Sequence, residues 1–514
     1  MTRARVLSTC AVEAGVGASL ILAAPTGCMP RRDSPRVDAT SATSVKSVTS
    51  TSTPPERAPP ECRYTARVVR PAAVLDVTVR CTGSTTTGFV GDPHLAPFTT
   101  DVRGPKGEAL PHEGARWTVS QSDDVEIRYR VDLDAAAHAL SEVDTAFARG
   151  GSIVAPLSSY ALVPDPPRAG SAMVSVRPAP GSSFVTELAR VEGGYSIALS
   201  DIPDSTYGVF GRFEHDVAEI RGVHGPSRID VVSLDGAFTL TRAERKNWVA
   251  RAAQAVDAFY GGFPATRAGV VLDPVPGRDR VVFGKVLSGG GSTVALFVGA
   301  HTPPAALDSD WVLVHELFHL GFPSIRGAGK WLDEGLATYA EPLIRARAGM
   351  LTEEQGWAEV IRDMPLGVEL CQTRGLEHFQ GDIRSVYWGG AVVALLADVA
   401  ARRRGPEQPG LEHALRAMVA KGWDSRRAVA RDDAIRMVDQ ELGAPILAVL
   451  ATAYADHGSP VPLDTTLADL GIERTGTSVR LHDDAKLASM RRAIMYGDAS
   501  PPSPAHPPSL DVSP

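Results

Sequence analysis

The sequence predicts an α+β protein: an N-terminal β-rich, sandwich-like domain followed by a mixed domain whose C-terminal part is helical. Three observations carry this. Between residues 61 and 236, short alternating runs (64–69, 74–79, 125–131 and 173–176) are separated by Pro, Gly and Asp, the pattern of half-buried strands. From Thr241 the apolar period changes, and Trp248, Ala252, Ala255, Val256 and Phe259 recur at helical spacing. From Asp308 to about Tyr454 nearly every segment reads as helix.

The elements follow in chain order. Arg3 and Arg5 precede a short apolar run, residues 14–24, and then small residues with Cys28. This is the arrangement of an export signal. Its end, APTGC, resembles the lipobox of bacterial lipoproteins, whose cysteine is acylated. Residues 1–28 are therefore expected to be a signal of lipoprotein type with Cys28 as the lipidation site. That implies export to the bacterial cell envelope, with membrane contact only through the lipid anchor. A plain cleaved signal, and secretion, is the alternative. Residues 29–60 are rich in Ser, Thr and Pro without hydrophobic period, as expected of a disordered linker. Residues 486–514 are expected to be a tail, Pro/Ser-rich from 501.

The β-rich domain is placed at 61–236, with a possible inserted helix at 135–148. Cys62 and Cys81 bracket its first two runs, and strands folded back on each other bring them together. In an oxidising compartment this predicts a disulfide, leaving Cys371 unpaired. The second domain is placed at 237–485. Thr241 with Glu244 forms a capping box, and Gly261 and Gly262 end the helix behind it. Strand-like runs follow at 269–272, 280–283 and 293–298.

Composition removes several functions. Lys and Arg total 52 against 60 Asp and Glu, a net charge of -8, and no cationic run exists to neutralise nucleic-acid phosphates. No run of 18 apolar residues suggests a polytopic membrane protein. Five cysteines in 514 residues do not make a disulfide scaffold.

The chemistry is concentrated between Asp310 and Glu341. His315-Glu316-Leu317-Phe318-His319 is an H-E-x-x-H sequence. Positions four apart lie about 40° from each other around a helix, so both imidazoles can hold one metal ion. Glu316 lies beside that face and can reach a water on the metal. Zinc lowers the pKa of such a water to about 7, and a carboxylate can take its proton. Val312, Leu313, Val314, Leu317, Phe318 and Leu320 make the helix apolar almost all round, and buried histidines need partners. After Gly321 and Pro323, a second helix is expected around Trp331–Ile344, broken or kinked at Pro342. Glu334 in its first turn is the candidate third ligand, which completes the three protein ligands of a catalytic zinc.

H-E-L-F-H followed by W-L-D-E-G-L-A-T-Y resembles the gluzincin zinc metallopeptidases, in particular the glycyl aminopeptidase-like family and more distantly aminopeptidase N. The segments Arg347–Glu354 and Val386–Asp398 resemble two further stretches of the glycyl aminopeptidase-like family. The resemblance covers about 241–481. It implies a thermolysin-like zincin catalytic domain and one Zn2+ per chain held by His315, His319 and Glu334. It also implies Glu316 as the general base and Tyr387 as the oxyanion donor. The implied reaction is peptide-bond hydrolysis by a zinc-activated water on a peptide or protein substrate. Residues 288–295 are expected to occupy the family's substrate-binding edge strand, with Gly289, Gly290 and Gly291 offering open backbone. That stretch has no carboxylate for a substrate amine, so endo- and aminopeptidase modes stay open. Fourteen residues separate His319 from Glu334, a short gap for the family, and Gly389 stands where the family has a lysine. The rival reading is a non-catalytic surface protein that binds peptide on a zinc-stabilised fold of this type. Nothing in the sequence indicates an oligomeric state.

Overall fold

The computed structural model describes residues 61–70, 73–222, 225–379, 383–405 and 408–497. The signal, Cys28 and the linker expected within 1–60, and the Pro/Ser-rich stretch from 501, lie outside the described residues. The protein is a mixed α+β structure with a β-rich N-terminal part and a helical C-terminal part.

Three sheets stack in the β-rich part. β1 (Cys62–Arg70), β2 (Val74–Val90) and β3 (Arg116–Asp132) are the antiparallel centre of a nine-stranded sheet. Their alternation buries Tyr64, Leu75, Val77, Ile127 and Tyr129 on one face and leaves Arg67, Arg80 and Arg128 on the other. The β1–β2 register places Cys62 opposite Cys81, and the pair forms a disulfide with a Cα–Cα distance of 4.1 Å. A four-stranded sheet lies behind. Its strand Ser152–Pro156 is buried at every residue because both faces are covered. Ile153 and Ala155 join the core under the nine-stranded sheet, while Val154 packs with Val232, Leu234, Val271 and Ala295 of the third sheet.

That third sheet positions the site. It contains β4 (Phe213–Gly222), β5 (Gly225–Leu234), β6 (Arg267–Val275), β7 (Val281–Leu287) and β8 (Thr293–Gly299), in the order β4-β5-β6-β8-β7. It runs across the boundary expected at 236/237, since β4 and β5 pair with each other and β5 pairs in parallel with β6. Periodicity identifies a strand but not its partner, and here the partner lies beyond the change of period.

The expected inserted helix is shorter than 135–148. α1 is Leu133–Leu140, capped by Asp132, and residues 147–149 are strand. α2 (Arg242–Tyr260) has the Thr241/Glu244 capping box and ends on Gly261 at φ 72°. It packs on the third sheet through Trp248, Val249 and Val256. The helical part contains α3 (Val312–Phe318), α4 (Lys330–Arg347), α5 (Glu353–Ile361), α6 (Met364–Thr373), α7 (Ile383–Arg402), α8 (Leu411–Ala420) and α9 (Arg431–Leu442). α4 passes through Pro342 without a break. α7 is long and apolar enough to cross a membrane by composition, yet it is a core helix packed against α4 and α6. The expected tail from 486 is corrected: Ala488–Tyr496 is a helix whose Ile494 and Met495 are buried in the main core.

Candidate metal centre

α3 starts where the Asp310 carboxylate accepts the backbone N–H groups of Val312 (3.2 Å) and Leu313 (3.1 Å). Burial pushes Asp310 up to about 6. The helix then carries His315 and Glu316, and a 3₁₀ turn continues it through His319. The Tyr260 hydroxyl donates to the Phe318 carbonyl at 2.9 Å, holding that turn to the end of α2.

His319 is followed by a chain segment containing β9 (Ser324–Arg326), which pairs in parallel with β10 (Ala428–Ala430) from the C-terminal part. α4 begins after Gly329, at φ 108°, and places Glu334 in its second turn. The three expected ligands come together. His315 Nε2 lies 3.2 Å from Glu334 Oε2, His319 Nε2 lies 3.3 Å from the same oxygen, and the two Nε2 atoms are 3.3 Å apart. A tetrahedral zinc about 2.0–2.1 Å from each donor needs donors about 3.3 Å apart, so these atoms fit one face of its coordination shell. The donor set suits the metal too: two imidazoles and a carboxylate, with one corner left for water or substrate.

Electrostatics support the arrangement. Burial alone would raise the Glu334 carboxyl, but the two imidazoles hold it well below the ordinary range. Burial alone would lower His319, and the Glu334 charge and hydrogen bond raise it instead. Burial raises Glu316, with both imidazoles opposing. Glu316 sits under β7, the edge strand of the third sheet. A Cβ on Gly284 would lie 2.4 Å from Glu316 Cγ, so only glycine lets the strand pass this close. Tyr387, in the first turns of α7, lies near the site's carboxylates: burial raises its hydroxyl, and the charges of Glu334, Glu316 and Asp333 raise it further.

The expected glycine subsite is corrected. Gly289 and Gly291 are not open backbone. The Gly289 N–H donates to the Asp204 carbonyl and its carbonyl accepts from Thr206, each at 2.9 Å. A Cβ on Gly290 would lie 2.7 Å from Ile197, and one on Gly291 would lie 2.2 Å from the Glu187 carbonyl oxygen. These glycines serve close packing of the β7–β8 turn against the segments around Glu187, Ile197 and Asp204. β8 is interior, and the edge strand beside Glu316 is β7. Residues 281–291 contain Lys285 and no carboxylate. Gly389 packs against α6, where a Cβ on Gly367 would lie 2.1 Å from its nitrogen.

Lys330 is a neighbour that motif reading overlooked. Its Nζ lies 3.0 Å from Asp333 Oδ2 and 4.0 Å from Glu334 Oε1. The three- and four-residue spacings are visible in the sequence and could have placed it there. Thr338 Oγ donates to the Glu334 carbonyl at 2.7 Å, a bond along the helix rather than to the ligand carboxylate.

No family model matches the sequence, and no curated protein matches it. Solved structures do. The chain is similar to an aminopeptidase N family protein from Idiomarina loihiensis, with TM-score 0.60 and 14% identity over 80% of this chain and 78% of that one. It is similar to a variant of a two-domain M1 zinc metallopeptidase bound to L-tryptophan, with TM-score 0.50 and 16% identity over 78% and 95% of the two chains. A variant M1 zinc metallopeptidase from Deinococcus radiodurans, bound to a Tyr-Ser-Ala substrate, matches with TM-score 0.50 and 18% identity over the same shares, 78% and 95%. The chain thus has the fold of zinc metallopeptidases related to aminopeptidase N.

Proposed function

We propose that this chain is a zinc-dependent peptidase of gluzincin type, with a thermolysin-like arrangement of its catalytic half. The observation that carries the reading is the trio of donor atoms 3.2–3.3 Å apart on α3, the turn after it and α4, with Glu316 half-buried beside them and Tyr387 near Glu334. A zinc ion held there would supply Lewis acidity to the carbonyl under attack and acidity to the attacking water. The residues do the rest. Glu316 accepts the proton of the water and returns it to the leaving nitrogen. The Tyr387 hydroxyl donates to the oxygen that gains negative charge. The edge of β7 takes an extended substrate backbone beside Glu316.

Peptide is the substrate class that the bound tripeptide and amino acid of the two M1 metallopeptidases support. We place the enzyme outside the cytoplasm, anchored through Cys28. That part rests on the sequence of residues 1–28, and the Cys62–Cys81 disulfide agrees with it.

The test combines metal content with hydrolysis of a mixed peptide library, with and without chelator, for wild type and Glu316→Gln. One zinc per chain and chelator-sensitive cleavage are expected. The variant should keep the metal and lose cleavage. Zinc without any cleavage by wild type would leave only a binding role, and absence of zinc after reconstitution would end the reading altogether.

A further inference from the structure

We infer that Arg431, nearly a hundred residues after Glu334, is a positioning residue that sets Glu334 and Tyr387 relative to each other. Its catalytic consequence rests on the peptidase reading; its consequence for metal binding rests only on the ligand geometry.

The argument starts at the short gap between His319 and Glu334. Residues 424–430 strap that gap down. Ser425 N–H donates to the Leu320 carbonyl at 3.2 Å, Ser324 N–H to the Arg427 carbonyl at 2.9 Å, and Ser324 Oγ to the Ser425 carbonyl at 2.9 Å. β10 ends this strap, and Arg431 is the next residue, the first of α9. Its stem lies over the start of α4, since a Cβ on Gly329 would be 2.8 Å from both Cβ and Cγ of Arg431.

The guanidinium then joins three elements. One terminal nitrogen donates to Glu377 Oε1 at 2.9 Å and to Asp456 Oδ1 at 2.7 Å. The same Glu377 oxygen accepts the indole N–H of Trp331 at 2.7 Å. Trp331 is fully buried and stands three residues before Glu334. Glu377 lies in the 3₁₀ turn Leu376–His378, on the chain leading to α7 and Tyr387. His378 in that turn also contacts the Asp456 carbonyl at 3.2 Å. The start of the ligand helix and the approach to the oxyanion-donor helix are therefore tied to one carboxylate oxygen, and Arg431 neutralises it. Without the guanidinium, the Glu377 carboxyl, with 13% of its side chain exposed, faces Asp456 with the Trp331 indole as its one remaining donor among the described residues. Both approaches are then free to shift.

Groups that orient metal ligands from behind typically alter metal affinity or activity by about 10- to 100-fold when removed. Arg431→Met and Glu377→Gln should each raise the zinc dissociation constant by about 10-fold or more, read by competition with a chromogenic chelator. The turnover number should fall by a similar factor with KM nearly unchanged, because the displaced groups act on transition-state charge. Arg431→Lys should recover part of both losses. Combined with Tyr387→Phe, Arg431→Met should cost less than the two separate losses multiplied. If Arg431→Met fails to fold, Glu377→Gln, which keeps an acceptor for Trp331, carries the same test. A folded Arg431→Met or Glu377→Gln protein with wild-type zinc affinity overturns the proposal. Fully multiplicative losses with Tyr387→Phe also overturn it. Should wild type cleave nothing, the peptidase reading fails while the zinc competition still decides the role of Arg431.

Discussion

Gly335 and Gly390 meet backbone to backbone where α4 crosses α7. A Cβ on Gly335 would lie 2.3 Å from Gly390 Cα, and a Cβ on Gly390 would lie 1.9 Å from the Trp331 carbonyl oxygen. One glycine follows the ligand Glu334 and the other follows Tyr387 by three residues. The closeness of the helices therefore sets the spacing between Glu334 and Tyr387. Gly390→Ala must push them apart. The variant should lose about 1–3 kcal/mol of stability, measured by urea unfolding, and bind zinc more weakly than wild type. Wild-type stability and metal affinity in Gly390→Ala would show that the crossing adapts.

The metal ligands should act as a set. His315→Ala, His319→Ala and Glu334→Ala each leave two donors, and each should reduce zinc from one per chain to a fraction at micromolar free metal. Elemental analysis after dialysis decides it. Retention of full zinc in any of the three would remove that residue from the set.

Tyr387→Phe deletes one hydroxyl and leaves the ring in place. The expected loss in turnover is about 100- to 1000-fold, or about 3–4 kcal/mol, the scale of a single lost oxyanion donor. Zinc content should not change. Activity within a few-fold of wild type would make Tyr387 a packing residue.

The buried acids behind the site give a pH dependence of stability. Glu341 pairs with Arg345 at 2.9 Å, yet burial outweighs the pairing and pushes it up to about 8 from an ordinary value of 4.5. Between those values the folded protein keeps a proton that the unfolded chain has released. This contribution is therefore full below about 4.5 and is lost as pH rises toward 8. Denaturant midpoints should fall between pH 5 and pH 8.5, and Glu341→Gln, always neutral, should flatten part of the fall. Identical pH profiles for the two proteins would contradict this.

Cys62 and Cys81 close a loop of sequence separation 19. Chain-entropy reasoning puts the worth of such a closure at about 3 kcal/mol. The Cys62→Ser, Cys81→Ser double variant should be less stable by that order, and reductant should destabilise wild type but not the variant. Zinc binding should be unaffected, because the bridge lies in the nine-stranded sheet, away from α3 and α4.

The candidate ligand trio was legible because its placement is local. His315 and His319 are one helical turn apart, and Glu334 follows a single connection in a motif whose spacing is set by helix geometry. Tyr387 had no local signal and came only from resemblance to a family. The glycine subsite misled for a physical reason: a run of Gly signals missing side chains, but not whether the space is filled by substrate or by the protein's own Glu187 and Asp204 backbone. The edge position of β7 was hidden because β8, later in sequence, inserts between β6 and β7. Arg431 and Glu377, 54 residues apart, belong to no periodic pattern. Only tertiary structure brings them under Trp331.

The β9–β10 pairing also sets an order of events during synthesis. Ser324 and Ser425, joined in the strap, are 101 residues apart in the chain. At a ribosomal rate of about 5–20 residues per second, both histidines and Glu334 have emerged for about 5–20 seconds before the segment that restrains their connection exists. In that interval the nascent chain carries all three donor groups without the contact that restrains their connection, so under the proposed zinc reading firm metal capture waits for residues 424–430 to pair. A polypeptide halted ahead of residue 424 would contain the whole H-E-x-x-H and W-x-x-E-G sequence and still hold zinc loosely.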